Sequence, residues 1–112
     1  MIINKSSGAL LSKQSKWLTN PFSQSIGAMF KKKISKALIF PMRKSTKSGA
    51  SIHMFFVFTP LTVLWINSEK VVVDKCLAKP FKVYAPDHEA KYVIELPPEA
   101  NNKVSVGDYL DF

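Results

Sequence analysis

Residues 52–67 read IHMFFVFTPLTVLWIN and form the most concentrated apolar stretch of the 112-residue chain. Aromatic and β-branched side chains dominate the stretch, which favours pleated strands over a helix. Pro60 has no N–H to donate and would break a helix interior, so we expect two strands that meet at this proline. A membrane-spanning helix would need about 18 to 20 continuous apolar residues, and this run is shorter. The stretch therefore predicts a buried, bent strand at the centre of the core.

A hairpin and two further strands are predicted after this stretch. Residues 67–70 (NSEK) favour a tight turn, and residues 71–77 return as the partner strand. Residues 91–96 predict another strand, which Pro97 ends because proline cannot continue the ladder. Residues 104–112 predict a last strand with a turn at its glycine. The chain is therefore expected to be predominantly antiparallel β.

The first half of the chain has a less regular pattern. Residues 1–7 predict a flexible terminus, and residues 8–19 predict a strand or a hairpin. Residues 36–42 predict a short strand that ends at Pro41, and residues 43–51 predict a polar, mobile turn. The expected core contacts of the first hairpin are Leu10, Trp17 and Leu18.

One helix is predicted, from Pro21 to about residue 33. Asn20 can cap it through its side-chain oxygen, and Pro21 suits the first helical position. Four apolar side chains share one face of this helix at helical spacing, namely Phe22, Ile26, Met29 and Phe30. The predicted fold class is α+β, predominantly antiparallel β with one N-terminal helix.

The length of the chain indicates one domain, which we expect to span residues 8–112. Its single cysteine, Cys76, excludes an internal disulfide framework and a cysteine-based zinc site. We interpret Cys76 as a small apolar side chain of a strand. The N-terminal apolar run is too short for a secretory signal, so we expect a cytoplasmic protein without a transmembrane segment.

Positive charge is concentrated in the first half of the chain. The formal net charge is +8, and all ten charged residues up to Ala50 are basic. This asymmetry predicts a surface that binds nucleic acid or another polyanion. The alternative is that these lysines only keep the surface soluble. No zinc-finger, helix-turn-helix or RNA-recognition pattern narrows the choice. The candidate polyanion contacts are Lys31, Lys32, Lys33, Arg43 and Lys44.

The ionisable residues give little support for catalysis. Asp87, His88 and Glu89 are adjacent, and adjacent residues of a turn do not converge on one point as metal ligands do. Glu95 would be a carboxylate with a raised pKa if its face of the strand were buried. The chain has no Gly-x-Ser-x-Gly elbow and no glycine-rich phosphate loop. An enzyme would need His53, His88, Asp87 and Glu95 to converge, and we predict no cofactor.

Four motifs follow one another along the chain. They are HMFFVFTPLTVLWIN, then VVVDK, then YAPDHEAKYVIELP, then VSVGDYLDF. Their order resembles the uncharacterised family known as domain of unknown function 192, over about residues 22–112. The resemblance implies a mostly β fold with one helix, in which the strands curl into a small barrel-like sheet. It implies no activity, because the family has none assigned and a fold does not supply one.

Two departures from the family pattern affect its polar positions. The family's Asn-Thr before a Pro-Leu-Asp motif is replaced by Val57-Phe58-Thr59, and the Asp of that motif is Thr62 here. If this polar patch serves a ligand in other members, this chain lacks part of it.

We therefore expect a small binding or accessory module with an unknown ligand. Its candidate ligand surface consists of His53, Phe55, Trp65, Tyr84 and Glu95, with the three aromatic residues lining an apolar pocket. The alternatives are polyanion binding through the basic half and a small enzyme with an unrecognised site. A partner-docking protein would instead expose an apolar patch or a free strand edge and form a homodimer.

Overall fold

The computed structural model describes residues 1–20, 27, 29 and 34–112. Ten strands lie within these residues: β1 (Ile2–Asn4), β2 (Leu10–Ser12), β3 (Ser15–Trp17), β4 (Ala37–Thr46), β5 (Ile52–His53), β6 (Leu61–Ile66), β7 (Val72–Ala78), β8 (Val83–Tyr84), β9 (Ala90–Leu96) and β10 (Leu110–Asp111). Two 3-10 helices, Ser48–Ala50 and Pro98–Lys103, complete the described elements. Neither of these described helices is long and apolar enough to cross a bilayer.

Five strands form the main sheet, in the order β3-β4-β9-β6-β7. Its neighbours are antiparallel except β3 and β4, which are parallel. A second sheet has the order β10-β1-β2, and β5 pairs with β8 in a separate two-stranded ladder. The predicted mostly antiparallel β fold is confirmed. The predicted barrel-like closure is not seen among the described strands.

Both faces of the main sheet are buried. Successive side chains of its central strands point to opposite sides, so each strand contributes to two cores. Trp65 and Val93 belong to one core, together with side chains of the segments around β5. Leu64 and Ile94 belong to the other core, which β1, β2, β10 and the second 3-10 helix close. All six residues of β6 are buried, so this strand is the centre of the fold.

The predicted hairpin is confirmed, since β6 and β7 are antiparallel neighbours around a turn at residues 67–70. The side-chain oxygen of Asn67 accepts hydrogen bonds from the N–H groups of Glu69 and Val71, both at 3.0 Å. Lys70 has a φ of 68°, a left-handed conformation that helps to reverse the chain. Strand β9 likewise has its predicted position.

After β5, residues 54–60 of the central stretch form a loop and not the predicted strand. Only Met54 and Val57 of this loop are buried, and the N–H of Val57 donates to the carbonyl of Met54 at 3.2 Å, as in a turn. Phe56 has a φ of 58°, which is incompatible with an extended strand. The prediction was wrong because aromatic composition indicates a strand only where the rings are packed against neighbours.

The N-terminal residues form a strand inside the second sheet and not the predicted flexible terminus. Ile3 is opposite Asp111 of β10 on one side and Leu10 of β2 on the other. Ile2 and Asn4 have no solvent exposure. The prediction was wrong for this strand because its partner β10 lies about a hundred residues away in sequence, where no local pattern reveals the pairing.

The first predicted hairpin region faces the core with different side chains from those expected. Leu18 is buried as predicted, but Leu10 and Trp17 are 38% and 45% exposed. Leu11 is buried in place of Leu10. A displacement of one residue moves every side chain of a strand to the other face, so the weak periodicity of this segment could not set the register.

Strand β4 continues through Pro41 as far as Thr46, so the predicted strand end at the proline was wrong. The register with β3 covers residues 37–39, and Pro41 is opposite Tyr92 of β9. A proline is tolerated in a strand at a bulge. The register with β9 then shifts between Pro41 and Thr46, which indicates a bulge in the part of the chain predicted to be a mobile turn.

Two polar positions of the family motifs have structural roles. Thr62 is buried, and its hydroxyl donates to the carbonyl of Pro98 at 3.1 Å. Asp108 follows the left-handed Gly107 (φ 98°) and accepts a hydrogen bond of 2.7 Å from the side-chain amide of Asn4. The last strand, β10, is consequently shorter than predicted, because this turn occupies the residues before it.

The predicted helix at residues 21–33 lies outside the described residues apart from Gly27 and Met29. It stays a prediction, and so does any role of the triple lysine that ends it. Residue Met29 packs against the core that contains Trp65.

Candidate functional site

An exposed apolar surface lies on the two loops that flank the β5–β8 ladder. The loop between β5 and β6 contributes three phenylalanines, the segment before β8 contributes a fourth, and β8 itself begins with an exposed valine. Each of the four phenylalanine side chains is about half exposed, at 46 to 52%. We define the aromatic surface by its members, His53, Phe55, Phe56, Phe58, Phe81 and Val83.

Main-chain hydrogen bonds around Met54 join the two loops. The N–H of Met54 donates to the carbonyl of Lys82, and the N–H of Phe81 donates to the carbonyl of Met54, both at 2.7 Å. Met54 is fully buried, and Val57 is nearly so, with 2% exposure. These buried side chains anchor the loop from below and leave the phenylalanines between them facing solvent.

Two of the exposed phenylalanines have left-handed backbones. Phe56 has a φ of 58° and Phe81 a φ of 64°, conformations that are uncommon for bulky residues. Their rings meet edge to face with centroids 6.2 Å apart, and Phe58 packs against the same Phe81 ring at 5.9 Å. Such strain costs about 1 to 3 kcal/mol per residue and is found preferentially at binding sites.

His53 extends the surface beyond these phenylalanines. Its ring stacks on Phe55 with a centroid distance of 5.5 Å and an interplanar angle of 24°. The N–H of Phe55 donates to Nδ1 of His53 at 3.3 Å, so in the neutral ring the proton is on Nε2. The imidazole therefore offers a flat face beside Phe55 and a hydrogen-bond donor at its outer edge.

The charges next to the aromatic surface are positive. Lys79 and Lys82 are exposed on the segment that carries Phe81. Neither residues 53–60 nor residues 79–83 include an acidic side chain. The two loops together therefore present aromatic rings and ammonium groups.

Three residues of the predicted ligand surface do not present their side chains there. Trp65 is 1% exposed, and its indole N–H donates to the carbonyl of Ala50 at 2.8 Å. Glu95 is 6% exposed at the centre of the main sheet. Tyr84 is half-buried, and its hydroxyl accepts a hydrogen bond of 2.9 Å from the N–H of Lys79. The predicted apolar pocket is not formed, because Phe55 points to solvent while Trp65 lies in the core.

The groups required for an enzyme are likewise separated. Asp87 and His88 are exposed on the loop after β8, whereas Glu95 is buried in the sheet. Among the described residues, no group of three or more His, Cys, Asp or Glu side chains is arranged to hold a metal ion.

The candidate polyanion contacts fall into two sets. Arg43 and Lys44 are exposed on the outer part of β4. Lys31, Lys32 and Lys33 lie outside the described residues. Of these five candidates, the structure therefore describes the two at the bulged end of β4.

Sequence reasoning identified His53 and Phe55 but not the other members of the aromatic surface. Phe56 and Phe58 were expected in the buried central strand, because apolar side chains are most often buried. One available signal was the number of rings between His53 and Pro60, since an alternating strand with one buried face cannot cover adjacent phenylalanines on both sides.

Comparison with known proteins gives a consistent relationship but no activity. The chain matches the model of the DUF192 family, described as Uncharacterized ACR, over residues 2–112. A UPF0127 protein from Thermococcus sibiricus is 36% identical over 99% of this chain and 68% of its own length. One from Thermococcus kodakarensis is 36% identical over 87% of this chain and 62% of its own length. One from Pyrococcus furiosus is 32% identical over 99% of this chain and 97% of its own length.

Solved structures show the same fold. A protein of unknown function from Novosphingobium aromaticivorans has a TM-score of 0.85 at 18% identity, covering 99% of this chain and 82% of that one. A putative transcription regulator from Sinorhizobium meliloti has a TM-score of 0.84 at 20% identity, covering 98% of this chain and 88% of that one. At these identities the likeness shows the fold alone. The family model and the relatives establish that the chain belongs to the DUF192 family, which has no assigned activity.

Proposed function

We propose that this protein is a small binding module that uses the aromatic surface to bind single-stranded nucleic acid. The observation that carries the proposal is the set of four half-exposed phenylalanines on two loops tied together at Met54. Unpaired bases stack on aromatic rings, and each stacked base contributes about 1 to 3 kcal/mol with little sequence preference. The imidazole of His53 adds a further flat ring and an edge donor.

The charge of the chain supports this ligand class. The formal net charge is +8, and Lys79 and Lys82 are exposed on the segment that carries Phe81. A single strand complements this surface in two ways. Its flat bases can stack on the phenylalanine rings, and its negative phosphates can pair with the lysines. A duplex offers phosphates only, since its bases are stacked within the helix. We therefore expect a preference for single strands over duplexes.

A second copy of the chain suits this surface less well. In a two-fold dimer the same patch meets itself, so the Lys79 and Lys82 of each copy would approach those of the other. Like charges at an interface are unfavourable. Homodimer formation through this surface is therefore the competing hypothesis. The molar mass of the protein in solution distinguishes a dimer from a monomer.

The solved structure described as a putative transcription regulator does not carry this argument, because it shares the fold only. We also propose a cytoplasmic location, a single domain and a helix at residues 21–33, each on the sequence pattern alone. Binding of nucleic acid agrees with that location but does not depend on it.

The test is fluorescence anisotropy with a labelled single strand of about twelve nucleotides, compared with the same sequence as a duplex, at about 50 and about 200 mM salt. The variant is Phe56→Gly combined with Phe81→Gly. Glycine is favoured at both left-handed positions, so this variant removes two rings without adding backbone strain. We expect the wild type to prefer the single strand and to bind more weakly at high salt, and the variant to lose at least about tenfold in affinity.

Two controls make the result interpretable. Tyr109→Ala removes a side chain of similar exposure outside the aromatic surface and should leave binding unchanged. Lys79→Gln with Lys82→Gln should reduce the dependence on salt, whereas Lys13→Gln with Lys103→Gln should not. Equal binding by the wild type and the double-glycine variant, or a wild-type dimer that blocks binding, would refute the proposal.

A further inference from the structure

A basic pocket lies at the other end of the β5–β8 ladder from the aromatic surface. It has a volume of about 750 Å³ and is formed by the bulged end of β4, the first 3-10 helix and the loop after β8. This volume is within the usual range for small-molecule sites. The side chains that matter for its chemistry are Lys44, Thr46, Lys47, Ser48, Ser51 and Glu89.

The walls of this pocket combine ammonium and hydroxyl groups. Lys44 and Lys47 supply two positive charges, and the threonine and serines supply donors from separate parts of the chain. The N–H of Gly49 donates to Oγ1 of Thr46 at 3.0 Å, which orients that hydroxyl group. Glu89 is the one acidic residue among the lining residues that the structure describes.

Another lysine holds the backbone of this region in place. The ammonium group of Lys91 on β9 donates to the carbonyls of Met42 and Arg43, the latter at 2.8 Å. These contacts cross the bulge between Pro41 and Thr46 and join it to the main sheet. The bulge that carries Lys44 is therefore supported by the core of the fold, and Lys91 places a further positive charge near it.

We propose that this pocket binds a phosphomonoester group. A phosphomonoester carries about 1.5 to 2 negative charges at neutral pH and three strong acceptor oxygens. Those oxygens match two ammonium groups and several hydroxyl donors, whereas a phosphodiester has one charge and fewer free oxygens. The carboxylate of Glu89 is repelled by the phosphate but accepts a hydrogen bond from a ligand hydroxyl. The ligand class is therefore a phosphorylated compound with a neighbouring hydroxyl, such as a nucleotide or a sugar phosphate.

The ladder connects this pocket to the aromatic surface. Ser51 of the pocket immediately precedes β5, in which Ile52 pairs with Tyr84 and His53 pairs with Val83. Phe55 is four positions after Ser51, which corresponds to about 13 Å of fully extended chain. A nucleic acid with a terminal phosphate can therefore occupy both places, although the phosphate site itself does not depend on strand binding.

The test is a titration of the ¹⁵N-labelled protein with inorganic phosphate, with adenosine 5′-monophosphate and with adenosine, at constant ionic strength set by chloride. We expect the two phosphates, but not chloride, to shift the amide signals of residues 44–51, 85 and 87–89. Replacing both Lys44 and Lys47 by glutamine should weaken phosphate binding at least about tenfold. Lys13→Gln with Lys16→Gln is the matched control, because these lysines are exposed outside the pocket.

Phosphate that shifts none of these amide signals, or that binds the Lys44 and Lys47 variant as it binds the wild type, would overturn the inference. The source of the phosphate is decided by comparing a 5′-phosphorylated single strand with its unphosphorylated form. A gain of about tenfold or more from the phosphate identifies a strand end, and an equal response to the free nucleotide identifies a small molecule. The double-glycine variant of the aromatic surface should still bind inorganic phosphate, so the two proposals fail separately.

Discussion

The indole N–H of Trp65 donates a hydrogen bond of 2.8 Å to the carbonyl of Ala50. Trp65 is at the centre of the main sheet, and Ala50 ends the 3-10 helix that borders the basic pocket. Both residues are buried, so the hydrogen bond is shielded from water. This contact links the fully buried strand β6 to the segment that leads into β5 and the aromatic surface.

Trp65→Phe is expected to destabilise the protein by about 2 to 4 kcal/mol. The substitution leaves the buried carbonyl of Ala50 without its donor and opens a cavity beside it. Trp17→Phe is the matched control, because Trp17 is 45% exposed, and it should cost less than about 1 kcal/mol. Urea unfolding followed by circular dichroism measures both. Equal losses for the two variants would contradict the assignment of Trp65 as the structural tryptophan.

Asn4→Ala is expected to cost about 2 kcal/mol of the free energy of unfolding, although Asn4 is near the start of the chain. Its side-chain amide donates to Asp108 at 2.7 Å and to the carbonyl of Lys103 at 3.0 Å, and the residue has no solvent exposure. Buried groups that lose a partner destabilise by about 1 to 3 kcal/mol.

The control for Asn4 is Asn102→Ala, which removes an exposed amide of the same type. A double-mutant cycle that combines Asn4→Ala with Asp108→Ala should show coupling, because the two side chains are in contact. Additive losses in that cycle would show that the contact does not contribute.

Glycine should be better tolerated than alanine at Lys70. The Lys70 ammonium group donates to the main-chain oxygen of Phe112 at 2.8 Å and lies 3.6 Å from the centroid of its ring. Partial burial lowers the pKa of Lys70, and the charge of Asp111 opposes this shift. Both substitutions remove the side-chain contacts, but only glycine relieves the left-handed backbone, by about 1 kcal/mol. Urea unfolding should therefore rank wild type, Lys70→Gly and Lys70→Ala in decreasing stability, and the reverse order of the two variants would disprove this.

The thiol of Cys76 should react slowly in the folded protein. Burial, with a smaller contribution from the charge of Asp74, raises the pKa of Cys76 to about 11 from 9.0. At pH 8 the folded protein should then contain about a hundredfold less thiolate than the unfolded chain, and alkylation by iodoacetamide should slow accordingly. Asp74→Asn removes the charge contribution, so it should lower this pKa and speed the reaction.

The same shift affects stability at high pH. Because the folded state holds the thiol proton more tightly, the stability associated with Cys76 is present below pH 9 and is lost as the pH rises from 9 towards 11. Cys76→Ser should remove this part of the pH dependence in urea unfolding. Rapid alkylation of the folded wild type at pH 8 would show that the thiol is not shielded in this way.

Local sequence patterns were sufficient for the central hairpin, β9 and the general preference for antiparallel strands. Proline and glycine signals also located the end of β9 and the turn before β10. In the candidate site the same reasoning selected His53 and Phe55, which do lie together, but it combined them with Trp65 and Glu95 of the sheet interior. Pro41 shows the limit of a local rule, because the proline is accommodated at a bulge of β4.

The sequence by itself determined the central hairpin, the predominance of strands, the excess of positive charge and the family to which the chain belongs. Only the tertiary structure decided that Ile3 pairs with Asp111, that Trp65 is enclosed, and that the rings of residues 55, 56, 58 and 81 face solvent. The physical reason is that the spacing of apolar residues records which side chains share a face, whereas exposure depends on which distant segment covers that face. No described segment covers the aromatic surface completely.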